Sequence, residues 1–137
     1  MPVRVVLDTN ILVSACWKAG SLEERLLDMA IRGEIAACAT DEVLAEYRDV
    51  LRRPKFSSIR ETAEVKLAAL EAACLHVSPG ERLQLATDDD DNRFLECALA
   101  AGARFLVTGN LRHFPETFGF TRIVNAREFL AQGKPVR

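Results

Sequence analysis

Three acidic residues and one asparagine occupy positions from which their side chains could be brought together by an α/β fold. They are Asp8, Glu46, Asp91 and Asn110, and the hydroxyls of Thr9 and Thr108 lie close to two of them in the chain. All of these are hard oxygen ligands, and no clustered histidine or cysteine competes with them, so the set suits Mg²⁺ or Mn²⁺. A metal held by few protein ligands can activate water and neutralise the charge that develops during phosphodiester cleavage.

Asp8 follows a short run from Val3 to Leu7 that is nearly all apolar and rich in β-branched residues, which predicts a buried strand. The run Ile11 to Val13 would begin the next helix, and we expect Thr9 or Asn10 to cap it. A carboxylate at the C-terminal end of a parallel strand lies where open α/β sheets bind their ligands. Taken alone, Asp8 is equally well explained as a turn or cap residue.

Asp91 is the last of four consecutive aspartates at the start of a predicted helix. Capping and the helix dipole explain acids at this end, and Asp88 is best placed to cap. Asp91 differs because Phe94, Leu95 and Ala98 follow it at helical spacing, which predicts that its side chain points along the inward face. An inward carboxylate costs free energy unless it is paired or bound to a metal.

Glu46 and Asn110 complete the candidate set. Glu46 lies at the edge of the buried stripe of a predicted helix, so its side chain is expected to point half inward, although an ordinary border glutamate fits the same spacing. Asn110 comes shortly after a predicted strand at 104–107, which makes it the counterpart of Asp8 on a second strand.

Strands and helices alternate along the chain, which predicts right-handed crossovers and a mostly parallel, five-stranded sheet covered on both faces by helices. The predicted strands cover 3–7, 35–39, 75–77, 104–107 and 121–124. Because the C-terminal ends of parallel strands share one edge, the four candidate side chains can converge there. At 137 residues, with no repeat or linker-like stretch, we expect one domain over 1–137.

Composition excludes several classes of protein. The apolar fraction of 49% and the charged fraction of 28% are typical of a globular chain rather than a disordered one. No apolar run is long enough for a membrane span or a secretory signal, so we expect the cytoplasm. The net charge of −2 does not mark a nucleic-acid binder, but a bound cation or a local basic patch can still hold phosphates. Four widely spaced cysteines favour reduced, mostly buried thiols over a zinc site or disulfides.

Four motifs occur in register along the chain: Leu7-Asp8-Thr9-Asn10-Ile11-Leu12, the inward Glu46, Asp91-Asn92-Arg93-Phe94-Leu95-Glu96, and Leu106-Val107-Thr108-Gly109-Asn110. Together they resemble the PIN-domain ribonucleases, in particular the VapC-type toxins of bacterial toxin–antitoxin pairs, over essentially the whole chain. The resemblance implies a three-layer α/β/α domain and an endoribonuclease that depends on Mg²⁺ or Mn²⁺. It also implies a homodimer, and inhibition by a small antitoxin protein.

The resemblance assigns roles by position. Asp8, Glu46 and Asp91 match the three acidic metal-site residues of the family, and Thr9 or Thr108 matches the hydroxyl that supports the site. Asn110 falls where many members have a fourth aspartate, so this chain carries one negative charge fewer there. An amide oxygen can still bind a metal or a water molecule.

Two basic segments are candidates for holding RNA phosphates. Arg52 and Arg53 belong to the first, and Arg112 with His113 forms the second, just beyond Asn110. A solvated helix end explains the first segment as well, and an ordinary turn explains the second. His113 is also a candidate general acid.

Two other functions compete with a nuclease as explanations of these residues. A phosphatase of the haloacid dehalogenase type also starts with an aspartate at a strand end, but it needs a second aspartate two residues later, where this chain has Asn10. A catalytically weakened PIN domain that only binds RNA or a partner protein is suggested by Asn110. We therefore predict a cytoplasmic, metal-dependent endoribonuclease that acts as a toxin, with the binding module as the alternative.

Overall fold

The computed structural model of the chain describes residues 2–86 and 88–132. Its strands are β1 (Arg4–Leu7), β2 (Ala36–Ala39), β3 (Leu75–His76), β4 (Phe105–Val107), β5 (Thr117–Phe118) and β6 (Thr121–Val124). Its α-helices are α1 (Thr9–Trp17), α2 (Leu22–Ile31), α3 (Asp41–Leu51), α4 (Arg60–Ala73), α5 (Asp89–Ala101) and α6 (Ala126–Gln132). Two 3₁₀ segments, Pro54–Ile59 and Leu111–His113, precede α4 and follow β4.

The strands form one sheet in the order β3-β2-β1-β4-β6-β5. Every neighbouring pair is parallel except β5 and β6, which run antiparallel at one edge. The predicted α/β architecture is confirmed, but the sheet has six strands rather than five. The missed strand, β5, is two residues long and joins β6 through a turn in which Gly119 has a φ of 61°. A strand this short carries no alternating pattern, so periodicity could not indicate it.

The apolar residues of the central strand of the sheet are fully buried. Val5, Val6 and Leu7 of β1 are 0% exposed, as a central parallel strand covered on both faces requires. On α5, Phe94 and Leu95 are buried to the same degree, and this helix packs on β1, β2 and β4. Burial of each such side chain contributes about 1.5–3 kcal/mol, so the core fixes the strand ends from which the site is built.

One helix start differs from the prediction. The helix α1 begins at Thr9 and is capped by Asp8, so the prediction that Thr9 or Asn10 would cap it is wrong. The helix α4 begins at Arg60, directly after a 3₁₀ segment. Over residues 2–86 and 88–132, no helix has both the length and the apolar character that a membrane crossing needs.

The four cysteines are free thiols, as predicted. Cys38 and Cys97 are buried, while Cys16 and Cys74 are half-buried. Burial raises the pKa of Cys97 to about 12, so its sulfur stays protonated and unreactive at neutral pH.

Candidate functional site

Asp8 is the first residue beyond β1 at the C-terminal edge of the sheet, and it is 6% exposed. Its Oδ1 accepts the N–H of Thr9 at 2.8 Å, which caps α1. Its Oδ2 accepts the hydroxyl of Thr108 at 2.7 Å and the side-chain amide of Asn10 at 3.2 Å. Burial raises the pKa of Asp8, and the hydrogen bonds from Thr108 and Thr9 oppose that rise. Three donors therefore hold this carboxylate in one orientation.

Asn10 links two loops instead of capping a helix. Its amide nitrogen donates to Asp8, and its Oδ1 accepts the N–H of Gly109 at 2.9 Å. A Cβ on Gly109 would lie 3.4 Å from that same oxygen, an ordinary van der Waals contact, so the hydrogen bond and not the lack of a side chain links the two segments. The segments that leave β1 and β4 are consequently tied together beside Asp8.

Of the two candidate hydroxyls, Thr108 is the one that contacts Asp8. Thr108 is 0% exposed, and its Oγ1 also accepts the N–H of Asn110 at 2.9 Å. The hydroxyl of Thr9 is buried without a hydrogen-bond partner in the described part of the chain. The side chain of Asn110 is exposed, at the start of the 3₁₀ segment that follows β4.

Tyr47 supports the site from α3, a role that the sequence analysis missed. Its hydroxyl donates a 2.6 Å hydrogen bond to the carbonyl of Leu7, the residue immediately before Asp8, and the tyrosine is 2% exposed. Its ring centroid lies 6.3 Å from that of Phe94 on α5. The available signal was a tyrosine in an otherwise apolar stripe, because a buried phenol needs a hydrogen-bond partner.

Asp91 lies in the first turn of α5 and is 9% exposed, so the predicted inward orientation is confirmed. Its Oδ2 is buried and accepts no hydrogen bond from any described residue, although Nδ1 of His113 lies 3.6 Å away. Burial first, and then the negative charges of Asp8 and Asp88, raise the pKa of Asp91 to about 6. Asp88 caps α5, as predicted, by accepting the N–H of Asp90.

Glu46 lies at the margin of this group, half-buried on α3. Burial raises its pKa, the charge of Asp90 adds to the rise, and the charge of Asp8 adds less. A cavity of about 350 Å³ opens beside it between α3 and α5, lined in part by Asp49, Asp90 and Arg93. Glu46 is thus within electrostatic reach of Asp8, in a more open position.

The fit of a divalent cation can be tested on these side chains. Within residues 2–86 and 88–132, no three His, Cys, Asp or Glu side chains form a ready-made group that could hold a metal ion. Two observations fit a cation: the unpartnered Oδ2 of Asp91, and raised pKa values at Asp8, Glu46 and Asp91. Where neighbouring negative charges and burial raise the pKa of a carboxyl group, a nearby positive charge stabilises its ionised form. All the donors are oxygens, which suits Mg²⁺ or Mn²⁺.

The predicted phosphate-binding residues fall into two places. Arg52 makes two hydrogen bonds to Glu64 of α4, at 2.8 and 3.0 Å, and Arg53 pairs with Asp49 at 3.2 Å. Both arginines at the end of α3 therefore already contact acidic residues. Arg112 is exposed and lines a cavity of about 440 Å³ together with His113 and Asn110. Of Arg112 and His113, it is His113 that approaches a carboxylate, with Nδ1 at 3.6 Å from Oδ2 of Asp91.

Comparison with known proteins identifies the family. A model of the PIN domain matches residues 4–112. The chain belongs to the PIN-domain family. This PIN domain is 25% identical to an uncharacterized protein of Methanocaldococcus jannaschii over 111 residues, which cover 79% of this chain and 71% of that protein.

A solved structure shows the same fold. The crystal structure of VapBC2 from Rickettsia felis bound to a DNA fragment from their promoter matches this PIN domain with a TM-score of 0.55. The sequence identity is 20%, and the match covers 80% of this chain and 90% of that one. The predicted α/β fold, with helices flanking a mostly parallel sheet, is therefore shared with this solved structure.

Proposed function

We propose that this PIN domain is a metal-dependent endoribonuclease that hydrolyses phosphodiester bonds in RNA. PIN domains are generally nucleases. The observation that carries the proposal is the buried, unpartnered Oδ2 of Asp91 in the electrostatic field of Asp8. A buried carboxylate oxygen without a donor costs free energy, and a bound cation removes that cost.

Asp8 and Asp91 would hold Mg²⁺ or Mn²⁺, with Glu46 as the third acid and Asn110 as a neutral oxygen donor in place of a fourth. When bound, the metal supplies a Lewis acid and lowers the pKa of water. Thr108, Asn10 and the N–H of Thr9 keep the Asp8 carboxylate in one orientation.

The exposed residues beyond β4 complete the proposed site. Nδ1 of His113 faces Asp91, which leaves Nε2 available to donate a proton to a leaving oxygen. Arg112 lines the cavity of about 440 Å³ that Asn110 and His113 also line, which places it to hold a neighbouring phosphate. Among the described residues it has no ion-pair partner. We assign Arg52 and Arg53 a lesser role, because their charges are already shared with Glu64 and Asp49.

A cleavage assay tests the proposal. The full chain is incubated with labelled RNA in Mg²⁺, in Mn²⁺ and in EDTA, alongside Asp8→Asn and Asp91→Asn. We expect cleavage that requires metal and falls at least about a hundredfold in both variants. Asp89→Asn is the matched control, since Asp89 lies in the same helical turn but its side chain is 74% exposed.

If RNA stays intact in both metals while the chain is folded, the proposal that the protein is a nuclease is wrong. If the folded chain still retards RNA in a gel, the alternative of a catalytically weakened binding module replaces it. The absence of an acid at Asn110 is the feature that favours this second candidate.

We further propose that the protein is the toxin of a toxin–antitoxin pair, forms a homodimer in the cytoplasm and is inhibited by a small antitoxin. The support is the fold shared with the Rickettsia felis VapBC2 structure, which was solved with promoter DNA. Growth arrest on expression, relieved by co-expression of a small neighbouring reading frame, tests the first part. Sedimentation of the purified chain tests the dimer.

A further inference from the structure

Beyond the site itself, α5 carries a buried acid with no place in the proposed chemistry. Glu96 has a side chain that is 1% exposed, and both of its carboxylate oxygens accept hydrogen bonds from close donors. Its Oε2 accepts the N–H of Leu83 at 2.8 Å and Nη2 of Arg93 at 2.7 Å, while its Oε1 accepts Nη1 of Arg82 at 3.1 Å. Glu96 therefore binds a loop, 82–86, to the helix that carries Asp91.

Arg82 extends this link to a second helix. The same guanidinium forks onto Glu42 of α3, with Nη1 at 2.9 Å from Oε1 and Nη2 at 2.8 Å from Oε2. Glu42 lies one helical turn before Glu46 on α3, so the two point along the same side of that helix. One arginine thus joins the helix that carries Glu46 to the helix that carries Asp91.

The loop is held at its other end by Asn92, the neighbour of Asp91. Asn92 is 2% exposed, and its Oδ1 accepts the N–H groups of Leu85 and Ala86 at 2.9 and 2.8 Å. Its amide nitrogen donates to Asp89 at 3.2 Å. The loop is consequently fixed to α5 at two points rather than resting on it.

Opposing forces act on these two helices. Glu46 and Asp90 line one cavity between these helices, and two negative charges facing the same cavity repel each other. The apolar contact between the helices, Tyr47 with Phe94, lies on the inner side. The bridge through Arg82 is an attractive contact on the same side, since its partner Glu42 lines the same cavity.

We propose that Glu96, acting through Arg82, is a positioning residue that sets the separation of Glu46 and Asp91 and so tunes the metal site. A buried ionic group adds little net stability compared with an apolar side chain of the same size, so stability alone does not account for it. Groups behind the ligands commonly change metal affinity by about 10- to 100-fold. This inference rests on the proposed metal dependence.

Calorimetric titration of the full chain with Mn²⁺ tests it. We expect Arg82→Gln and Glu42→Gln each to weaken Mn²⁺ binding about tenfold, and Glu96→Gln to weaken it at least as much. Lys66→Gln is the matched control, because it breaks another ion pair between helices, the 2.6 Å contact of Lys66 with Asp28, away from the carboxylates. That variant should bind Mn²⁺ like the wild type.

The outcomes separate the inference from the function on which it rests. Wild-type affinity in folded Arg82→Gln and Glu42→Gln, with only a lower melting temperature, would show that the bridge is structural and overturn the inference. Failure of the wild-type chain to bind Mn²⁺ would overturn the proposed metal dependence itself. Glu96→Gln risks misfolding, but the two surface variants keep the test decisive because each removes one arm of the bridge from an exposed position.

Discussion

The hydroxyl of Thr108 donates a 2.7 Å hydrogen bond to Oδ2 of Asp8, although 100 positions separate the two residues in the chain. They meet because Leu7 and Val107 are paired in the parallel strands β1 and β4, so that the next residue of each strand leaves the sheet at the same edge. The orientation of the most constrained carboxylate therefore depends on the pairing of these two strands.

Thr108→Val removes that hydroxyl with almost no change in side-chain shape. Asp8 and the N–H of Asn110 each lose a partner, so we expect the free energy of unfolding to fall by about 1–3 kcal/mol. Mn²⁺ binding should weaken as well, because Asp8 is no longer held in place. Urea unfolding and calorimetric titration measure the two effects. Thr108→Ser keeps the hydroxyl and is the control; a valine variant that matches the serine variant in both measurements would disprove the role.

Asp91→Asn should stabilise the metal-free protein in a pH-dependent way. The carboxyl pKa is 3.8 for an unperturbed aspartate and about 6 in the folded chain. As the pH rises between these values, the unfolded chain releases a proton that the folded chain retains, so folding stability is lost across this window. Above pH 6 the asparagine variant should exceed the wild type by up to about 3 kcal/mol, and below pH 4 the two should converge.

Melting temperatures in EDTA from pH 4 to pH 8 measure this difference, with Asp89→Asn as the exposed control from the same turn. Added Mn²⁺ should then raise the melting temperature of the wild type and leave that of Asp91→Asn unchanged. A stability gain of the same size at pH 4 and pH 8 would show that the ionisation of Asp91 is not its cause.

His113→Gln should raise the pKa of Asp91 further. The imidazole Nδ1 lies 3.6 Å from Oδ2 of Asp91, and its positive charge lowers the pKa of that carboxyl. Carboxyl-carbon NMR titration of the metal-free protein measures the shift. His76→Gln changes the other histidine of the chain, an exposed residue on β3, and should have no effect on Asp91. An unchanged titration in His113→Gln would mean that the two groups are not coupled.

Asn110→Asp should strengthen Mn²⁺ binding on the order of tenfold, since it adds a carboxylate where the chain has only an amide. In EDTA the same variant should be less stable than the wild type, because a further negative charge joins Asp8 and Asp91. Titration and thermal melts test both effects. Asn125→Asp adds the same charge elsewhere in the cavity that Asn110 lines; equal gains in the two variants would point to a general charge effect.

The parts of the site that could be predicted are those set by local spacing. Asp91 was assigned an inward orientation because three apolar residues follow it at helical spacing, and all three are buried in the structure. Asp8 is predicted at a strand end because a nearly all-apolar run, Val3 to Leu7, comes before it. In each case the residues on which the prediction depends lie within one short segment of the chain.

The parts that could not be predicted are contacts between distant segments. The local sequence predicts Asn10 as a cap, because nothing nearby indicates that Gly109, 99 positions away, will present its N–H. The same is true of Arg82, whose two partners lie 40 and 14 positions away on different helices. These contacts depend on strand register and helix packing, which a single sequence does not display.

The pairing of β1 with β4 also has a consequence for biosynthesis. The ribosome adds Thr108 100 positions after Asp8. Until β4 has emerged, β1 has only β2 beside it, and the carboxylate lacks the hydroxyl that orients it. A polypeptide released early, by a truncated message or a stalled ribosome, would therefore carry the acidic residues without their arrangement. Translation itself thus delays assembly of the site until most of the chain exists.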